Sequence, residues 1–348
     1  MTIVAEKYRY VIGIDTHAQT HTYAIIESRT GACQSCQAFP VSAAGIKRAI
    51  AWIQRYTSGE ILAGVEGTRS YGAFIAKALT THHVPVAEDK PPSKRARGGA
   101  GKTDEHDAIA AARSILGKDL TDLLHPRINE LRAAINVLLT SRGRVDQQRT
   151  INRNALNALV REIDLGLDTR RPLSDRQVTE IIRWRSRSSD TVEQAYARQE
   201  AVFLATAIRQ ATEQLKHNKT QLAALVEAMA PGLQDQPGLG PVTTGAILVA
   251  YSHHGRIRSA AAFAALAGTS PIQASSSNTT RHRLNRHGDR RLNQALDVIA
   301  KVRMRSHPET TNYVQRRTTE GLNYREIKRI LKNYIARNIF RQLQQIMT

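Results

Sequence analysis

Asp15, Glu66, Asp104 and Asp107 are the residues whose types and spacing could do chemistry in this 348-residue chain. Carboxylates drawn together at neutral pH repel one another unless a cation screens them. A hard divalent ion does so, and phosphate oxygens can complete its coordination shell. Asp104 and Asp107 are three residues apart, so on a helix they share one face. Asp15 ends the apolar run Tyr10-Val11-Ile12-Gly13-Ile14, and Glu66 ends a second run, Ile61-Leu62-Ala63-Gly64-Val65. A carboxylate buried at a strand end without a partner is costly, which argues for a use. Asp104 and Asp107 also have a purely structural reading, as helix cap and dipole complement. The chain around them carries a formal charge of +20. Metal-loaded acids on a basic protein point to phosphodiester chemistry.

The elements that must position these acids follow from pattern. Three strands are expected at Tyr8–Asp15, His21–Ser28 and Ala32–Phe39, the last pair joined by the turn Arg29-Thr30-Gly31. Ile46, Ile50 and Ile53 fall at helical spacing within Ser42–Tyr56. A buried strand Ile61–Glu66, a helix Tyr71–Thr81 and a strand Val84–Glu88 follow. Residues 91–102, PPSKRARGGAGK, read as a basic loop. Thr103 can cap a helix running through Leu116. The order βββ-α-β-α-β-α is that of a ribonuclease-H-like sheet. Residues 128–230 are poor in strand signal and read as a long helical connector, a hairpin or coiled-coil arm, broken near Asp168–Ser174. Beyond Pro231 the texture becomes mainly helical. Pro237-Gly238-Leu239-Gly240-Pro241 reads either as a phosphate-binding Gly-x-Gly element or as a simple turn.

Composition is that of a globular protein. The charge is uneven: residues 250–348 hold 18 Lys and Arg against 5 Asp and Glu. That block predicts a polyanionic partner. An anionic membrane surface is the weaker reading, because no strongly apolar stripe lies beside the charge. No apolar run approaches the ~18 residues of a membrane span, and no secretory pattern opens the chain, so a cytoplasmic, nucleoid-associated location is expected. Cys33 and Cys36 form a lone CxxC without a second ligand pair, and plain sheet residues are expected there.

Taken in order, the motifs resemble the DEDD transposases of the insertion-sequence 110 family. The N-terminal resemblance is carried by Ile12-Gly13-Ile14-Asp15-Thr16-His17, Val65-Glu66-Gly67-Thr68 with Tyr71-Gly72, and Lys102-Thr103-Asp104-Glu105-His106-Asp107-Ala108. The C-terminal resemblance is carried by Pro237–Pro241, Phe263-Ala264-Ala265-Leu266-Ala267-Gly268-Thr269-Ser270-Pro271, and Arg286-His287-Gly288-Asp289-Arg290-Arg291-Leu292. It implies a RuvC-like metal domain over residues 1–125, a helical connector over 126–230, and a C-terminal transposase domain over 231–348 with a catalytic serine. The acidic quartet carries over to Asp15, Glu66, Asp104 and Asp107, with Mg²⁺ or Mn²⁺ as the ion. The family's serine falls at Ser276, where Ser277 replaces the usual glycine, so Ser275 and Ser277 stay as alternatives.

The resemblance implies that Ser276 attacks a DNA phosphate, forming a phosphoserine link that a deoxyribose hydroxyl reverses onto a new strand. It also implies donor and target DNA, a structured guide RNA and a homo-oligomer, dimer or tetramer. The expected nucleic-acid contacts are Lys94, Arg95, Arg97, Lys102, Arg281, Arg283, Arg286, Arg290 and Arg291, chosen because basic residues near phosphates neutralise them. His17 could touch phosphate or simply leave the strand. Two other functions remain: a junction nuclease of the same sheet type using water, and a non-catalytic nucleic-acid-binding protein. No Walker-type loop is present, and Thr16-His17-Ala18 stands where a sugar-kinase-like ATPase would need a Gly-Thr phosphate loop.

Overall fold

In a computed structural model, the described residues are 2–89, 103–273, 282–283, 285 and 287–347. They fall into two compact units, Met1–Ile128 and Asn129–Thr348.

The first unit is built on a five-stranded mixed sheet. After a short helix α1 (Val4–Lys7) come β1 (Tyr10–Thr16), β2 (Thr20–Glu27), β3 (Cys33–Pro40), α2 (Ala43–Tyr56), β4 (Ile61–Glu66), α3 (Ala73–Thr81), β5 (Val86–Asp89) and α4 (Asp104–Leu116). The strand order is β3-β2-β1-β4-β5. β1 pairs antiparallel with β2 and parallel with β4, and β4 pairs parallel with β5. This mixed sheet is consistent with a ribonuclease-H-like domain. β1 is apolar at every position up to Asp15 because it is buried on both faces. Ile12, Ile14, Tyr23, Ile25, Ala63 and Val65 pack on the side of α2 and α3. Val11, Ile26, Leu62 and Ala87 pack on the other side, against Ala112 and Ile115 of α4.

The element bounds differ from expectation where local hydrogen bonding overrides pattern. Val84 gives its N–H to Leu79 O, closing the end of α3, so β5 begins only at Val86. Residues 67–72 wind as turns, with Gly72 N–H on Gly67 O, so α3 starts at Ala73 and not at Tyr71. The α4 range and its Thr103 cap agree with the sequence: Thr103 Oγ1 accepts the His106 N–H at 3.3 Å.

The second unit opens with α5 (Glu130–Glu162), α6 (Asp175–Ile181) and α7 (Val192–Met229), where α5 packs along α7. The far end of this pair has its own core, in which Leu156, Val160, Leu173, Ile181, Leu204 and Ile208 meet. There Arg198 is bonded to Asp190 in a bidentate pair at 2.9 Å, both side chains 4% exposed, with the guanidinium over the Trp184 ring. The near end runs into a larger core. Ile135, Leu139, Leu222 and Val226 pack with residues of α8 (Pro241–Tyr251), α9 (Ala260–Leu266), α10 (Arg290–Ser306) and α12 (Tyr324–Ile346), while α11 (Pro308–Thr319) lies against α10 and α12. The expected connector and C-terminal region thus lie in one unit. A two-stranded ribbon pairs β6 (Ile272–Gln273) with β7 (His282–Arg283). Gly238 sits against Ile299 of α10 at positive φ, Leu239 is buried and Gly240 caps α8, so the Pro-Gly-rich pentapeptide serves as a packed turn.

None of the helices among the described residues is long and apolar enough to cross a membrane.

Candidate metal centre

The sheet carries the acids to one edge. Gly13 on β1 pairs with Gly64 on β4, and Gly64 with Ala87 on β5. These residues and those two further along each strand point to the face covered by α4. Asp15, Glu66 and Asp89 therefore stand on the α4 side, at the carboxyl ends of three neighbouring strands. α4 comes close because the sheet presents glycines to it. A Cβ on Gly13 would lie 1.9 Å from Ala108 O and 2.6 Å from Ala112 N, and one on Gly64 would lie 2.9 Å from the Ile115 side chain. The first turn of α4 then delivers Asp104 and Asp107.

Asp15 is buried. His17 Nε2 lies 3.0 Å from Asp15 Oδ2 and 3.5 Å from Asp104 Oδ1. Ligand atoms of Asp15, His17 and Asp104 all fall within 4.8 Å of one another. Burial raises the Asp15 pKa, His17 opposes that rise, and the charges of Asp107 and Asp104 add to it. An oxygen-rich site that penalises its own ionised carboxyl, joined by one imidazole, fits a divalent cation by the chemistry of its donors.

Each expected site residue has a definite place or lies outside the described residues. Asp15 and Asp104 come together, with His17 between them. Asp107 reaches the group through its charge, not as a member of the 4.8 Å set. Glu66 ends β4 one step past the Ile14–Val65 pair, and its carbonyl accepts the Thr16 hydroxyl at 3.1 Å. Its carboxyl is also outside the 4.8 Å set. Ser275, Ser276, Ser277, Lys94, Arg95, Arg97, Lys102, Arg281 and Arg286 lie outside the described residues. In chain order the serines stand between β6 and β7. Arg283 belongs to β7, and Arg290 opens α10. Arg291 is engaged elsewhere: its guanidinium donates to Asn136 Oδ1 at 3.1 Å and Thr140 Oγ1 at 3.4 Å, which ties α10 to α5.

Two features escape sequence reasoning. Asp89, paired in register with Glu66, has a side chain only 2% exposed. It accepts the Ser114 hydroxyl at 2.7 Å and sits 3.6 Å from Lys118 Nζ, so a hydroxyl of α4 and an ammonium two residues past the helix answer it. Extending the β5 run by one residue would have placed it. His21, opposite Thr16 on β2, is fully buried, and burial lowers its pKa. Cys33 and Cys36 are free residues of β3, and burial pushes the Cys36 thiol up to about 11.

Comparison with known families gives two matches. The profile described as Transposase IS116/IS110/IS902 family matches residues 230–315. A DEDD-type IS110 profile, described as Transposase, matches residues 12–164. No curated protein matches the chain.

Proposed function

The chain belongs to the IS110 family of transposases, and from that premise we propose that it exchanges DNA strands through a covalent phosphoserine intermediate. The observation that carries the reading is the convergence of Asp15 and Asp104, from a strand end and a helix start 89 residues apart, on one imidazole. Asp15, Asp104 and His17 would hold a divalent cation, with Glu66 and Asp107 adding negative charge beside them. Bound there, Mg²⁺ or Mn²⁺ would offset carboxylate repulsion and take phosphate oxygens as ligands.

Ser276 is the proposed nucleophile. Its oxygen forms a bond to phosphorus as a deoxyribose C–O–P linkage gives up its P–O bond. The departing oxygen takes the proton that the serine releases. Attack by a deoxyribose hydroxyl then reverses these changes and frees the serine. Cations close to it in sequence, such as Arg290, are the groups able to stabilise the developing charge. Guidance by an element-encoded RNA and assembly of a dimer or tetramer around donor and target DNA complete the reading.

The test pairs two variants. Asp15→Asn should abolish recombination of a donor–target plasmid pair while a gel-shift titration shows nucleic-acid binding largely retained. Ser276→Ala should remove the protease-sensitive protein–DNA band on a denaturing gel, with Ser275→Ala and Ser277→Ala reducing it less. Recombination by the triple alanine variant would replace the covalent mechanism with the water-using nuclease.

A further inference from the structure

A cavity of about 590 Å³ opens in the second unit between Gly268–Pro271 and α12. α12 lies beyond the segment matched at 230–315, and neither the acidic group nor the serine run assigns it a task. Its contribution to the cavity wall includes Arg329, Lys332, Asn333, Tyr334 and Arg337. Arg329, Asn333 and Arg337 repeat at four-residue intervals, so they form one stripe, with the outer two about 12 Å apart along the axis.

The stripe is held in place. Asn333 Nδ2 donates to Thr269 O at 3.3 Å, which fixes α12 against the segment leading into β6. Lys332 Nζ donates to Asn293 Oδ1 at 2.7 Å and lies 3.5 Å from Asp297. Asn293 Nδ2 in turn donates to Ala267 O at 2.6 Å. The two arginines are different. Arg329 is exposed, and Arg337 is half-buried with an Nε that has no hydrogen-bond partner among the described residues. An enclosed N–H donor left unanswered is unfavourable, so the guanidinium gains by turning toward an acceptor in the cavity. Carboxylates are absent from the described residues lining the cavity, so the wall attracts anions. Tyr334, 63% exposed, stands between the two arginines in sequence and lines the same wall. Guanidinium forks suit phosphate oxygens, and an exposed ring beside them suits a base. Smaller anions would leave the ring idle.

We propose that this face of α12 seats a single DNA strand, with Arg329 and Arg337 each taking a phosphate and Tyr334 stacking a base. The seat adjoins Thr269–Pro271, a few residues ahead of Ser276 in the chain. The assignment of its strand as the one to be cut rests on the phosphoserine reading; the binding site itself does not.

The experiment uses the full chain and a short fluorescent single-stranded DNA, with anisotropy titrations across a salt series and no divalent cation. Arg329→Gln/Arg337→Gln should weaken binding and flatten the plot of log K against log salt by roughly 1.4, about 0.7 for each strand phosphate that is no longer neutralised. Tyr334→Ala should weaken binding roughly tenfold with the salt slope unchanged. A charge-matched control on the helical arm, Arg185→Gln/Arg209→Gln, should leave the slope where it was. Thermal melting establishes that each variant is folded. Equal slopes for the wild type and the α12 double variant would overturn the seat, as would an equal flattening in the control, or an effect seen only with an RNA strand of the same sequence. If the wild type forms no covalent adduct and the α12 slope still falls, the seat stands and the phosphoserine reading fails.

Discussion

At the scale of single residues, the proposed metal centre turns on Asp15. Its carboxyl is buried, and burial is the largest cause of its raised pKa, with Asp107 and Asp104 pushing the same way. A carboxylate whose folded pKa lies above its unfolded value lowers stability as pH rises through that interval. The penalty is absent below the unfolded value near 4 and complete above the folded one. At neutral pH the ionised group therefore opposes folding until a cation answers it. Mg²⁺ or Mn²⁺ should raise the melting temperature at pH 7 and have little effect below pH 4. Asp15→Asn should melt no lower than the wild type in chelator and should lose the cation-dependent rise. Differential scanning fluorimetry checks both, and a cation-dependent rise that survives in Asp15→Asn would remove this residue from the metal centre. Asp15 and Asp104 were legible because each sits at the boundary of a strongly patterned element. Asp89 was not, since its partners, the Ser114 hydroxyl and the Lys118 ammonium, lie 25 and more residues further along the chain.

Secondary-structure elements deliver the site by close approach. α4 must lie almost on the backbone of β1 and β4 for its first turn to present Asp104 to Asp15. Gly13 makes that approach feasible: an added Cβ would meet main-chain atoms of α4, not the flexible end of a side chain. Gly13→Ala should therefore lift α4 from the sheet, at about 1–3 kcal/mol or more for the overpacking. Urea unfolding measures that destabilisation. A second readout is the metal-induced melting shift, which should shrink even though no acid has been altered. An unchanged shift would mean that Asp104 does not depend on this contact. Alternation and helical period gave the order from β1 to α4, including the whole of α4, but not the short α1 that precedes them. They could not give the start of α3 or of β5, where glycine turns and a carbonyl at the end of a helix claim the N–H groups that a longer element would use. The same limit applies to Gly288. Its Cβ would lie 2.4–2.5 Å from Gly268 backbone atoms, a contact between two motif glycines that no local pattern announces.

Across the whole molecule, charge and core are organised on different plans. Ile135 and Leu139 of the arm share a core with Ile247 and Ile299. Such pairings across 100 or more residues carry no periodic signature, so a core shared by the arm's base and the later helices could not be read from the sequence. The charge, by contrast, was legible by counting. Residues 250–348 hold 18 cations, and among the described residues at least five of them face acids. Asp297 is approached by Lys301, Lys328 and Lys332, and Glu320 by Arg316 and Arg317. The number of phosphates that this region can neutralise is thus well below its cation count, and about six is a reasonable share. At about 0.9 per phosphate on duplex DNA, log K should fall against log salt with a slope near −5. Raising salt from about 50 to about 200 mM should then weaken binding about a thousandfold. Gel-shift or anisotropy titrations of the full chain on a duplex, without divalent cation, measure the slope directly. A slope near zero would mean that the basic C-terminal region does not meet the DNA backbone, and the partner of that surface would have to be sought elsewhere.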